Sequence, residues 1–238
     1  MPEASSSFAS PLNRRSFLTN AGVAAASLVL LTACPGPDKP PPAEPTLSLG
    51  TGDTGVLNYI YLLERFSGEF YAQVLATPAP DLTAADLSVL RDLHRHELAH
   101  RETLAQAFAA SINGVTINSA LPDMKFRFDS FTLTNRAGVL AAAQTVEDLG
   151  VAALCGAAKL FSSVYLLRLV MKMTAVEARH AAAVRDLRQA GSFAGADVVA
   201  QTGAEAGLNQ VLTPTEVLAE LTAKYSPIKL VPDSLPTS

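Results

Sequence analysis

The sequence predicts an all-α domain: a four-helix bundle with a long crossover between its second and third helices, followed by a short C-terminal helix. Three observations predict it. Hydrophobic residues make up 49% of the chain while only 6% are aromatic and Trp is absent, a mixture that suits packed helices better than a β-sandwich. Four stretches place apolar residues at three- and four-residue steps, the mark of one helix face. Between the second and third of them, from Asn113 to Leu133, the period is lost. A connection of that length reaches ~65 Å when extended, and so long a loop is uncommon in a compact domain unless it crosses it.

The first helical pattern runs from Val56 to Leu75, with Leu57, Ile60, Tyr61, Glu64, Gly68, Tyr71 and Leu75 on one stripe. Pro78 and Pro80 stop it. Thr83 and Asp86 have the spacing of a capping box, with Asp in place of the usual Glu or Gln. They open a second helix reaching Ile112, whose inner face carries Leu90, Leu93, Glu97, His100, Leu104 and Phe108. Gly114, Pro122 and the run Lys125-Phe126-Arg127-Phe128 predict an extended connection containing a short strand. The third helix spans Asn135 to Ala157 on the stripe Leu140, Ala143, Glu147, Gly150 and Leu154. The fourth spans Ser163 to Ala190 on Leu166, Leu169, Met173, Glu177, His180, Val184 and Leu187, with Gly191 as its stop. Thr213-Pro214-Thr215-Glu216 combines an N-cap, a first-turn proline and a capping glutamate, and begins a fifth helix ending at Tyr225. The bundle is thus residues 56–190. Residues 191–238 are an extension without a chemical motif, open to covering a bundle end or to contacting a second protomer.

Residues 1–33 stand apart from the fold. Asn13-Arg14-Arg15-Ser16-Phe17-Leu18-Thr19 is similar to the twin-arginine export motif. The apolar run from Ala21 to Ala33 is too short to span a bilayer, which takes ~20 residues. It ends in Leu31-Thr32-Ala33-Cys34, which resembles a lipobox, and that resemblance implies a lipid on Cys34 and attachment to the membrane of the cell envelope. Pro-rich residues 34–55 read as a tether. A lipidated Cys34 leaves Cys155 alone, so an internal disulfide is not expected; Cys155 reads as a small core residue. The formal charge of −4, with no basic stripe, argues against nucleic acid as a partner.

Each of the four stripes contains a glutamate where an apolar residue is expected: Glu64, Glu97, Glu147 and Glu177. Two of them begin Glu-x-x-His, giving Glu97 with His100 and Glu177 with His180. An i, i+3 step turns ~300° and rises ~4.5 Å, so both side chains of such a pair reach one point beside the helix. Glu64 and Glu97 lie 33 residues apart, Glu147 and Glu177 30 apart. With a turn near the middle of each interval, the partners meet at similar heights. Four carboxylates converging in a core repel one another and lose hydration. Two divalent cations balance them, and one imidazole per metal completes an oxygen-rich shell suited to iron or manganese.

This pattern, one glutamate from each of two helices and Glu-x-x-His from each of the other two, resembles the ferritin-like superfamily, and all six positions are filled. Asn58-Tyr59-Ile60-Tyr61-Leu62-Leu63-Glu64 and Glu69-Phe70-Tyr71 are also similar to bacterial ferritin-like proteins related to desiccation-induced plant proteins. The resemblance implies a ferritin-like bundle with a dinuclear centre held by Glu64, Glu97, His100, Glu147, Glu177 and His180. It also implies ferroxidase-like or peroxide-consuming chemistry on O2 or H2O2 in stress protection. A homo-oligomer is compatible with it, although lipid anchoring makes a closed storage shell a poor expectation.

Two other readings compete. In one, the protein is a structural or protective stress protein whose metal only staples the bundle. In the other, His96-Glu97-Leu98-Ala99-His100 is a zinc metalloprotease motif, with His96 and His100 on zinc and Glu97 activating water. That leaves Glu64, Glu147 and the second Glu-x-x-His unexplained. Tyr61 and His94, each one turn from a ligand, are candidates to hydrogen-bond the ligands from outside. Glu69, Glu102 and Asp148 read as solvated.

Overall fold

The computed structural model describes residues 45–109, 121, 124–232 and 234–237, with backbone only at 108 and 109. Arg14, Arg15, Cys34, the expected helix end at Ile112 and the Phe108 side chain lie outside them. In chain order the elements are β1 (Thr46–Ser48), α1 (Gly52–Ala76), α2 (Ala84–Ala109), α3 (Arg136–Ala157), a 3-10 turn (Ala158–Leu160), α4 (Val164–Arg188), α5 (Pro214–Lys224) and β2 (Lys229–Val231).

Local chemistry sets the helix ends. The Thr83–Asp86 box forms as spelled out in the sequence: Asp86 accepts from the Thr83 amide at 2.9 Å and hydroxyl at 2.6 Å, and Thr83 Oγ1 accepts from the Asp86 amide. Asn135 and Ser163 cap α3 and α4 by accepting from Gly138 N and Leu166 N. Thr213 and Glu216 make a full capping box ahead of Pro214. Gly191 takes a positive φ of 82° just beyond α4.

Two carboxylates fix the bundle's direction. Asp53, in the first turn of α1, accepts from the amides of Ser162 and Ser163 at 2.7 and 2.9 Å, at the start of α4. Arg136, opening α3, grips Asp86 of α2 with bonds of 2.8 and 2.7 Å and donates to Leu187 O at the end of α4. The starts of α1 and α4 therefore share one pole, and the starts of α2 and α3 share the other. The end of α2 and the start of α3 consequently lie at opposite poles.

Four features differ from the sequence expectation. Helix α1 begins at Gly52 rather than Val56, and Thr46–Ser48, within the stretch read as tether, is a strand. It pairs in parallel with β2 in the register Thr46↔Lys229, Leu47↔Leu230, Ser48↔Val231. Three residues are too few for a periodic signal, and their partner lies at the far end of the chain. The expected strand at 125–128 is absent. Met124, Phe126 and Phe128 are buried and alternate with exposed Lys125 and Arg127, but the amides of Phe126 and Arg127 donate to Glu69 Oε2 and Tyr225 O instead of a ladder. Finally, α1 is buried on nearly every side instead of along one stripe. Its outer face carries Phe66, whose ring packs 5.2 Å from Phe126 and 4.9 Å from Tyr225. The crossover and the C-terminal extension thus form a second aromatic layer over α1.

Candidate metal centre

All four glutamates sit near the middle of their helices and are 1–3% exposed. They form two overlapping groups: Glu64, Glu97, His100 and Glu177, and Glu97, Glu147, Glu177 and His180. Within each group one donor atom per residue lies within 4.8 Å of every other. Glu97 and Glu177, which belong to the two Glu-x-x-His pairs, are common to both groups. Every residue that the sequence nominated as a ligand is therefore present, and the two groups are built as a pair of adjoining positions.

The imidazoles face the carboxylates through Nδ1. His100 Nδ1 lies 2.7 Å from Glu177 Oε1 and 3.3 Å from Glu64 Oε2. His180 Nδ1 lies 3.1 Å from Glu97 Oε1, 3.3 Å from Glu177 Oε2 and 3.7 Å from Glu147 Oε2. The donor set fits cations. Glu64 Oε2, Glu97 Oε1, Glu177 Oε1 and His100 Nδ1 are buried without an aligned hydrogen bond, and a cation among them would complete what burial leaves open.

The electrostatics of the metal-free site point the same way. Burial, then the charge of Glu177, lifts the Glu64 carboxyl to about 7. Glu97 and Glu147 are also raised, by burial first and by neighbouring carboxylates second. Burial opposes charge on His100 and His180, but hydrogen bonding and attraction from Glu177 and its neighbours outweigh it and lift both to about 10. Burial likewise opposes charge on Glu177, yet the two imidazoles hold it down at about 2. Protons thus occupy the site where cations can replace them.

Around these candidate ligands the structure adds neighbours that the sequence did not nominate for that role. Tyr61 and His94 line a surface cleft with Arg65, Gly68 and Arg101. Tyr71 and His96 touch the candidate ligands: the Tyr71 hydroxyl donates to Glu147 Oε1, and His96 Nδ1 lies 2.9 Å from His180 Nε2. Tyr71 was visible only as one more apolar-face position, and His96 only as part of the zinc motif. No metal-capable group of three or more residues among the described ones contains His96. Glu69 and Asp148 are not solvated. Glu69 pairs with Arg65 at 3.4 Å, and Asp148 with the buried Arg185 at 2.7 Å. Arg185 also binds Asp197 at 2.6 Å, which fastens the extension to α3 and α4. Glu102 is exposed, as expected, and Cys155 is a half-buried free thiol.

Comparison with known families agrees with this geometry. The profile described as the ferritin-like domain matches residues 52–190, which span α1 through α4. No curated protein matches the chain.

Proposed function

The chain belongs to the ferritin-like domain family, and from that premise we propose that it holds two iron or manganese ions at the bundle centre and handles dioxygen or peroxide at the cell envelope. The observation that carries this reading is the sharing of Glu97 and Glu177 between two ligand groups. One ion needs only one group; the overlap supports two ions, for both of which Glu97 and Glu177 would serve. Glu64 and His100 would complete one position, Glu147 and His180 the other. An oxygen-rich shell with one nitrogen per ion favours iron or manganese over softer metals. When bound, such a pair supplies a two-electron exchange with an oxidant.

The chain's own residues define the surroundings of that exchange. The carboxylates are nearly sealed from solvent, which strengthens their hold on cations. Protons on His100 and His180 must leave as metal enters, so loading releases acid. The Tyr71 hydroxyl holds one oxygen of Glu147 and leaves the other facing His180. Residues Arg14, Arg15 and Cys34 support export by the twin-arginine route and a lipid anchor. Loss of acyl labelling in Cys34→Ala, with release to the soluble fraction, is the expected result for that part.

The test is metal content of the purified chain beside the Glu97→Ala/Glu177→Ala double variant, followed by assays of iron(II) oxidation and peroxide consumption. Two iron or manganese ions per chain, lost in the variant, with turnover in the loaded protein, are expected. Metal uptake that raises the melting temperature without turnover would replace the redox reading with a metal that only staples the bundle. No uptake of iron, manganese or zinc would remove both.

A further inference from the structure

The two imidazoles of the centre are held differently. His100 is half-buried and its Nε2 has no hydrogen-bond partner among the described residues. His180 is buried and engaged at both nitrogens: Nδ1 faces Glu97, Glu147 and Glu177, and Nε2 meets His96 Nδ1 at 2.9 Å. The His96 and His180 rings are nearly parallel, 10° apart with centroids at 5.1 Å. His96 itself is exposed on α2. A ligating imidazole has one nitrogen on the metal and a proton on the other, and whatever accepts that proton fixes ring orientation and tautomer.

We propose that His96 is a positioning residue: its Nδ1 accepts the Nε2–H of His180, presents His180 Nδ1 as the ligating atom, and makes the metal position at His180 tighter than the one at His100. This rests on the dinuclear reading given above. With the Nε2–H of His180 committed to His96, the ring is already turned with Nδ1 toward Glu97, Glu147 and Glu177 before any ion arrives, and the proton on Nδ1 is the one that leaves on loading. The ring at His100 has no such brace and loses more freedom on binding. The two positions therefore fill in order, His180 first.

The experiment is a zinc(II) titration of the metal-free full chain against a competing chelator. The wild type is expected to fill in two steps of different affinity. In His96→Ala the tighter step weakens about 10–100-fold, the weaker step is unchanged and two zinc ions still bind. His96→Asn, whose Oδ1 can stand where Nδ1 stood, recovers most of the loss. Equal steps in the wild type, or an unchanged tight step in His96→Ala, would overturn the proposal. So would loss of one whole zinc in both variants, which would make His96 a ligand. Nitrogen-15 NMR of the zinc-loaded chain should show His180 as the Nε2–H tautomer, with exchange slowed in wild type and His96→Asn but not in His96→Ala. If no zinc binds, the dinuclear reading fails by itself. A coupling across Nε2–H···Nδ1 in the metal-free protein still decides the hydrogen bond, and its absence overturns the brace.

Discussion

The Tyr71 hydroxyl donates to Oε1 of Glu147, inside the bundle and across from α1 to α3. Both residues are essentially inaccessible, so neither has water as a substitute partner. Burial, followed by the Glu147 charge, pushes the Tyr71 phenol well up, which keeps it a donor at any ordinary pH. Tyr71→Phe is expected to retain the fold, to destabilise the metal-free protein by about 1–3 kcal/mol and to weaken metal binding about tenfold or more. Thermal melts and a chelator competition on the same variant check the two effects separately.

Conservative changes at the glutamates should separate shared from unshared ligands. Glu64→Gln removes a carboxylate from one group only, whereas Glu97→Gln removes one from both. Metal analysis is expected to show the first variant keeping about one ion and the second losing both, or binding both far more weakly. Equal behaviour of the two variants would contradict the overlap.

The metal-free protein should lose stability as pH rises. Glu64, Glu97 and Glu147 hold protons more tightly when folded than their ordinary 4.5, and His100 and His180 more tightly than 6.5. The folded state therefore binds more protons than the unfolded one, and the slope of stability with pH is negative from about pH 4.5 to about 10. Glu177, held at about 2, works in the opposite direction only below about 4.5. Melting temperature in chelator is expected to fall steadily from pH 5 to 10, and saturating metal to reduce that fall. A melting temperature that rises across this range without metal would refute the assignment.

Arg136 is the tie between three helices at one pole, through Asp86 and Leu187 O. Arg136→Ala leaves Asp86 buried with only Thr83 as partner. The arginine is partly exposed, so the cost is at the lower end for a broken buried pair, about 2–3 kcal/mol. Urea unfolding should show it as a lower midpoint, while zinc stoichiometry stays unchanged.

Two glycines of α3 should respond in opposite directions to alanine. At Gly138 a Cβ would stand 2.0 Å from Thr132 O, so the chain entering α3 must move, at about 1–3 kcal/mol. At Gly150 nothing lies within 4 Å of that position, and Gly150→Ala is expected to stabilise the helix by about 0.5–1 kcal/mol. Paired denaturation curves check the sign of each.

The four helices and the six central residues were legible because each rests on a repeating signal. The helices have their three- and four-residue steps, the centre its acids on apolar stripes, and the caps at Thr83 and Thr213 their local spacing. What escaped depended on partners distant in sequence. Thr46–Ser48 is a strand only because Lys229–Val231 lies beside it. Asp148 is paired only because the buried Arg185 of α4 lies against it. Tyr71 and His96 carry no pattern of their own, since a tyrosine on a core face and a histidine on an exposed one are ordinary. Only the packed helices reveal which ligand each one meets.

The pairing of β1 with β2 also sets an orientation. Leu49 O accepts from Asn58 of α1, Ser48 Oγ meets Ser234 Oγ at 3.1 Å, and Leu235 is buried near Gly55. Thr46–Leu49, Lys229–Val231 and Leu235 thus rest together at the pole of Asp53. The stretch that enters α1 and the stretch that leaves α5 are thereby held side by side in the same direction, a single clasp at that pole, with the four central glutamates at mid-helix.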